Sequence, residues 1–290
     1  MTAPASRPLL GIFWMFITGL NFVAVTALVK YVGDGVPAAQ AAFLRYVIGL
    51  LFFLPFLPSL LKIRLSRPAL GLFCLRGVAH TAAVVLWFFA MTRIPIAEVS
   101  ALNYLSPIYV TLGAAFFLGE RFALRRLLAV LAGLLGAVII LRPGMRELSS
   151  GHIAMLFTAL GFAASYLIAK RMTTEASPTV VVVMLSVTVT IGLAPLAALD
   201  WVTPTGAQLF WLTLVAVFAT AGHFTMTLAF QAAPVAVTQP MTFLQLVWAI
   251  LLGAAFFGEP VDPYVVLGGT LIIAAVSFIA WREARVKETP

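Results

Sequence analysis

Charge is the scarcest commodity in this chain. Only 10% of its 290 residues are charged and 62% are hydrophobic, against roughly 25% and 45–50% in ordinary soluble domains. Water is therefore excluded as the main solvent. A single cysteine, Cys74, rules out an intrachain disulfide, and it is expected to be a small packing residue inside an apolar span. The three histidines, at 80, 152 and 223, lack metal-ligand spacing, and no Gly-x-x-x-x-Gly-Lys phosphate loop occurs. ATP hydrolysis by this chain is excluded, and no metal or other cofactor is expected. The acidic residues fall at the ends of the apolar runs or between them, which leaves no paired carboxylates for a hydrolase in the bilayer, so an enzyme is not expected. The net charge of +8 comes without clustered basic tracts or interleaved aromatics, so no nucleic-acid partner is expected.

What is present is a series of apolar runs about 20 residues long, enough at about 1.5 Å per residue to cross a hydrocarbon core of roughly 30 Å. Spans are predicted at 9–30, 37–57, 69–91, 97–117, 122–141, 151–171, 178–199, 207–231, 236–257 and 262–281. Gly33-Asp34-Gly35-Val36-Pro37, Arg142-Pro143-Gly144, Ser177-Pro178, Thr203-Pro204 and Glu259-Pro260 punctuate them. The expected fold class is all-α integral membrane with ten transmembrane helices. Arg7 before the first span resembles a signal-peptide start, but the run from Leu9 to Val29 is too long for one, so an uncleaved helix is predicted. Lys and Arg in short loops set orientation. Arg7, Lys62, Arg64, Arg67, Arg121, Arg125, Arg126, Lys170, Arg171, Arg282, Arg285 and Lys287 lie on one side. Lys30, Arg93, Arg142 and Arg146 lie on the other, which places both termini in the cytoplasm.

A phrase recurs: Gly-Ala-Ala-Phe-Phe-Leu-Gly-Glu at 113–120 returns as Gly-Ala-Ala-Phe-Phe-Gly-Glu at 253–259. Pro95 matches Pro234, Ala97 matches Ala236, Tyr104 matches Phe243, Tyr109 matches Trp248 and Glu120 matches Glu259; more weakly, Lys30 matches Lys170 and Pro37 matches Pro178. The chain reads as a duplication with halves at 1–145 and 146–290. Five spans per half, an odd number, inverts the second half, the arrangement from which many secondary transporters build a site that opens to either side.

Pro95-Ile96-Ala97-Glu98-Val99-Ser100-Ala101-Leu102, Leu105-Ser106-Pro107-Ile108-Tyr109-Val110-Thr111, Leu118-Gly119-Glu120-Arg121 and Leu141-Arg142-Pro143-Gly144 resemble the EamA family of the drug/metabolite transporter superfamily over essentially the full length. In overall character the chain resembles the YddG-type exporters of aromatic amino acids. The resemblance implies a bacterial-type inner-membrane exporter of aromatic and other apolar amino acids, working by alternating access as a monomer or weak dimer. The alternatives are the same fold moving another small metabolite, such as a nucleoside derivative, a vitamin or a drug, or a non-transporting membrane scaffold. Intramembrane proton relays usually need an Asp or Glu within a span. Glu98, at the end of the fourth span, is the nearest, so transport without obligatory proton coupling is expected.

Polar groups inside spans mark a cavity, because lipid leaves them without partners. On the third span His80, Val84, Trp87 and Met91 share a face, and His223 and Thr227 do so on the eighth. Asn21, Asn103, Tyr104, Ser165, Tyr166, Gln239, Gln245 and Trp248 complete the expected lining, with Trp14 as a further aromatic. Amide and hydroxyl groups suit a zwitterion and the aromatics suit an apolar side chain; each histidine is equally readable as an interhelical hydrogen bond. Arg45 and Arg76 lie deep enough in their spans to need a partner, either within the protein or a substrate carboxylate. Pro107 and Pro240 free carbonyls in related helices and are the expected hinges. Ala129, Gly133 and Ala137 form a small-residue stripe suited to close helix contact.

Overall fold

A computed structural model of the chain describes residues 7–56, 58, 65–106, 108–109, 112, 124–145, 147–172, 176–232, 241 and 243–286. Among them all regular structure is helical. The α-helices are α1 (Pro8–Val32), α2 (Ala38–Leu51), α3 (Arg67–Met91), α4 (Ile96–Asn103), α5 (Leu124–Leu141), α6 (Ser150–Met172), α7 (Pro178–Leu199), α8 (Gly206–Ala232), α9 (Leu244–Phe257) and α10 (Pro263–Val286). Helices α1, α3, α6, α7 and α8 are long and apolar enough to cross a membrane; α2, α5, α9 and α10 contain shorter apolar stretches. In the five long helices only 39–44% of the apolar stretch is buried. The remaining surface, with Leu75, Val78, Phe157, Leu160 and Ile191 exposed, demands an apolar solvent.

Local chemistry sets the ends. Ser66 caps α3, its Oγ accepting from Ala69 N at 3.3 Å, and Ser177 caps α7 in the same way through Val180 N at 3.5 Å. Pro68 and Pro178 sit in the first turn, where a missing N–H costs nothing. Gly258 closes α9 at φ +63°, the left-handed conformation that glycine adopts without a Cβ penalty. Helix α2 stops at Leu51, short of the 57 expected, because the chain tightens there: Phe52 and Phe53 donate to Gly49 and Leu50 three residues back.

The helices gather into two compact units. One contains residues 24–94 and 149–220, the other 1–23, 95–148 and 221–290. Each holds helices from both of the expected sequence halves. In the first unit α3 lies along α6, and α2 along α7. A Cβ added to Gly161 would sit 2.9 Å from Ala83 Cβ and 3.1 Å from the Ala79 carbonyl, so α3 and α6 touch backbone to side chain. Gln40, fully buried, holds the chain after α7: its Nε2 donates to Val202 O at 2.6 Å and its Oε1 accepts from Val202 N at 2.9 Å.

In the second unit α5 and α10 pack closest. Ala129, Gly133 and Ala137 are buried, and a Cβ on Gly136 would lie 2.6 Å from the Gly268 carbonyl oxygen. Arg142, at φ +48°, pairs with Asp262 and places its guanidinium 4.6 Å from the Tyr264 ring centre. Glu259 Oε2 accepts from Ile96 N at 3.0 Å, putting a carboxylate on the positive end of α4. Cys74, expected as a packing residue, is exposed, because it falls on the outward side of α3 while Phe73, Arg76 and Gly77 take the buried one.

Candidate substrate site

The chemistry of the first unit concentrates around His80 on α3. Its Nδ1 lies 3.0 Å from Ser165 Oγ on α6 and its Nε2 lies 3.0 Å from Tyr46 Oη on α2. Ser165 also accepts from Arg76 Nε at 3.4 Å, and Arg76 Nη1 donates to Val181 O of α7 at 3.3 Å. At the other end the Arg45 guanidinium stands 4.0 Å over the Tyr46 ring, a cation–π contact. Arg76 Nε–H donates to Ser165 Oγ, and the two ring nitrogens of His80 join Ser165 Oγ to Tyr46 Oη, one nitrogen donating and the other accepting in the neutral ring. The order Arg45, Tyr46, His80, Ser165, Arg76 is thus a continuous polar string across α2, α3 and α6, with a guanidinium at each end.

Aromatic rings wrap this string. Phe162 lies 5.1 Å from the His80 ring, 5.9 Å from Trp87 and 6.0 Å from Tyr166, stacked on the last at 22°. Helical spacing builds the wall: Phe162, Ser165 and Tyr166 fall at i, i+3 and i+4 on α6, and His80, Val84, Trp87 and Met91 are all buried along α3. Four expected residues, His80, Trp87, Ser165 and Tyr166, are therefore brought together here. Tyr46 and Phe162 were missed, although Tyr46 follows Arg45 directly and Phe162 lies one turn from Tyr166.

The second unit holds the other described candidates. Asn21 Nδ2 donates to Ile17 O at 2.7 Å, and its Cβ would meet a side chain placed on Gly222 at 3.3 Å. His223 stacks edge-on against Phe22 at 5.2 Å, and Thr227 donates to His223 O at 2.8 Å. Gln245 presses on Gly19, with 3.2 Å from its Cγ to an added Cβ; Trp248 faces Phe16 at 6.4 Å, and its buried Nε1 has no partner among the described residues. Tyr104 meets Phe243 edge-on at 5.4 Å, Asn103 Oδ1 is buried without a partner among the described residues, and Trp14 packs on Phe13 at 5.2 Å. A buried hydroxyl pair, Thr18 with Thr225 at 2.9 Å, joins α1 to α8 and was not foreseen, since threonine alone is a weak signal in an apolar span. Gln239, Pro107 and Pro240 lie outside the described residues.

One sequence offset carries His80 to His223 and also Phe22 to Ser165, so the His80–Ser165 contact on α3 and α6 has a counterpart in His223–Phe22 on α8 and α1. The first is polar and the second aromatic. Two cavities lie elsewhere. One of about 220 Å³ is in the first unit beside Val36, Ala41, Phe88 and Arg93. The other, of about 240 Å³, is in the second beside Glu98, Glu259 and Asp262. Glu98 is buried, and no group of metal-holding residues occurs among the described residues.

Helices of this composition, packed around a buried polar string, suit a membrane protein. The profile of the EamA-like transporter family matches the chain twice, over residues 9–142 and 149–281. The chain belongs to that family. Over 290 residues it is 34% identical to a riboflavin transporter of Rhizobium johnstonii, covering 98% of this chain and 95% of the relative. It is 30% identical over 268 residues to the pseudopaline exporter CntI of Pseudomonas aeruginosa, covering 91% and 94%. It is 25% identical over 281 residues to an S-adenosylmethionine uptake transporter of Rickettsia bellii, covering 95% of each. This EamA-like chain is accordingly a multi-pass membrane transporter of small molecules. The three relatives differ in cargo, one is named for uptake and one for export, and none is named for aromatic amino acids, so they favour the expectation of another small metabolite over the amino-acid one.

Proposed function

We propose that the protein carries a small metabolite with a planar aromatic ring across the inner membrane, with flavins the first class to test. The observation that carries this reading is the His80 cluster, where Tyr46, Trp87, Phe162 and Tyr166 surround a hydrogen-bonded polar string. Aromatic faces bind a flat ring, and fixed polar groups orient it. The chain's similarity to a riboflavin transporter over nearly its full length supports the choice of class. Movement is by alternating access of two inverted five-span halves with both termini cytoplasmic; Pro107 and Pro240 serve as hinges, and Asn21, Asn103, Tyr104, His223, Thr227, Gln245 and Trp248 belong to the pathway. The absence of Asp and Glu from every described long helix except the C-terminal turns of α10 supports transport without obligatory proton coupling.

Counterflow into proteoliposomes tests the reading. Saturable uptake of labelled riboflavin, lost in Trp87→Ala, is expected. An absence of both flavin uptake and competition by flavins would overturn the flavin assignment. Aromatic amino acids are the second reading, favoured by the amides of Asn21 and Gln245 near Trp14 and Trp248 in sequence; labelled tryptophan in the same vesicles decides it. Abolition of counterflow on removing the pH gradient at clamped voltage would refute uncoupled transport.

A further inference from the structure

The two ends of the polar string are not equivalent. Arg76 is 4% exposed and its guanidinium is engaged by Ser165 and Val181. Arg45 is equally buried, yet among the described residues its Nε and Nη1 have no hydrogen-bond partner. Its one described contact is the Tyr46 ring, which holds the guanidinium by its face and leaves the N–H edge unused.

A compensating carboxylate is not available from the helices. The sequences of α1, α2, α3, α6, α7 and α8 contain no Asp or Glu at all, and among the described residues neither guanidinium is paired with an acid. Guanidinium N–H groups stripped of water and left unpaired, as Nε and Nη1 of Arg45 are among the described residues, are costly for a fold to carry. Replacing such a charge with an apolar residue often stabilises a protein. The unfilled donors of Arg45 therefore point to a partner that arrives from outside the chain. Arginine keeps its charge at any working pH and presents planar paired donors that match carboxylate and phosphate oxygens.

We propose that Arg45 is a specificity-determining residue that binds an anionic oxygen group of the cargo, a carboxylate or a phosphate, while the cluster around His80 holds its ring. Tyr46 serves both parts. Its ring positions the guanidinium, and its hydroxyl, 3.0 Å from His80 Nε2, ties that guanidinium to the ring-holding cluster. The cargo is then a ring-bearing anion or zwitterion, so within each chemical class the member bearing the anionic group is preferred to its neutral analogue. This inference rests on the reading of the protein as a carrier of ring-bearing metabolites.

The test is a ligand-induced thermal shift on the purified full-length protein in lipid nanodiscs, run beside the counterflow assay. Matched probes share the ring and differ in whether they bear an anionic oxygen group: riboflavin 5′-phosphate against riboflavin, and 3-phenylpropionate against 3-phenylpropanamide. At least one anionic member should bind the wild type tenfold or more tightly than its neutral partner. Arg45→Met should reduce that ratio to below threefold while raising the melting temperature of the ligand-free protein, and Arg45→Lys should retain part of the preference. An Arg45→Met variant that keeps the charge preference, or a wild type that shows none in either pair, overturns the proposal. If Arg45→Met does not fold, the prediction of a stabilised ligand-free protein has failed and the proposal falls with it. Anion-dependent shifts without flavin counterflow would instead remove the flavin reading and leave Arg45 in its proposed role.

Discussion

Gly136→Ala is the sharpest test of the packing between α5 and α10. An added Cβ would lie 2.6 Å from the Gly268 carbonyl oxygen, 2.7 Å from Ile272 Cγ1 and 3.2 Å from Ile272 N. Two of these three atoms are backbone, so no rotamer change relieves the overlap. Restoring ordinary contact requires the helices to move apart by roughly 0.5–1 Å, and a gap of that size forfeits a quarter to a half of the dispersion energy of each pair it opens. Overpacking of this kind costs about 1–3 kcal/mol, and the better helix propensity of alanine returns at most about 1 kcal/mol. A net loss of up to about 2 kcal/mol follows when the full propensity gain is returned. It should appear as a melting temperature several degrees lower in nanodiscs and as a lower midpoint in a denaturing-detergent titration. The control is Gly71→Ala, where an added Cβ meets nothing within 4 Å, so that variant should match or exceed the wild type. The reasoning is refuted if Gly136→Ala melts with or above the wild type, or if both alanines cost the same.

Ser165→Ala removes the hydroxyl shared by His80 and Arg76; a stability loss of about 1–3 kcal/mol is expected, together with a raised half-saturation concentration in counterflow, and Ser165→Thr should recover more of both than Ser165→Ala. Gln40→Leu severs both bonds to Val202, so the chain at Trp201–Thr205 should become more protease-sensitive, read as faster cleavage by limited proteolysis; unchanged cleavage would count against Gln40 as the anchor. Glu259→Gln keeps an acceptor for Ile96 N but removes the charge at the start of α4, costing about 0.3–1 kcal/mol, while Glu259→Ala should cost more in the same melting assay.

The apolar runs, the turn residues between them and the scarcity of charge define a helical membrane chain without any tertiary information, because each helix satisfies its own backbone hydrogen bonds and needs only lipid around it. The recurrent phrase and the Pro95–Leu102 and Leu141–Gly144 segments likewise carry the family. Part of the site was legible too: a histidine, a serine and aromatics at helical spacing inside lipid-length runs stand out because the surroundings are so uniform. Spacing along one helix determines which residues share a face.

Which faces meet was decided only by the fold. Nothing in the sequence says that α3 lies along α6 and α2 along α7, so the neighbours of His80, from Tyr46 34 positions before it to Ser165 85 positions after it, become visible only once those helices pack. Tyr46 and Phe162 look like any other aromatics until then. The difference between the two arginines has the same origin. Both sit in apolar spans with no acid, but one reaches a serine and a backbone carbonyl on neighbouring helices while the other ends over a ring with donors unspent. Local sequence fixes the charge and its depth. Only the long-range packing of side chains at close distance determines whether that charge is satisfied.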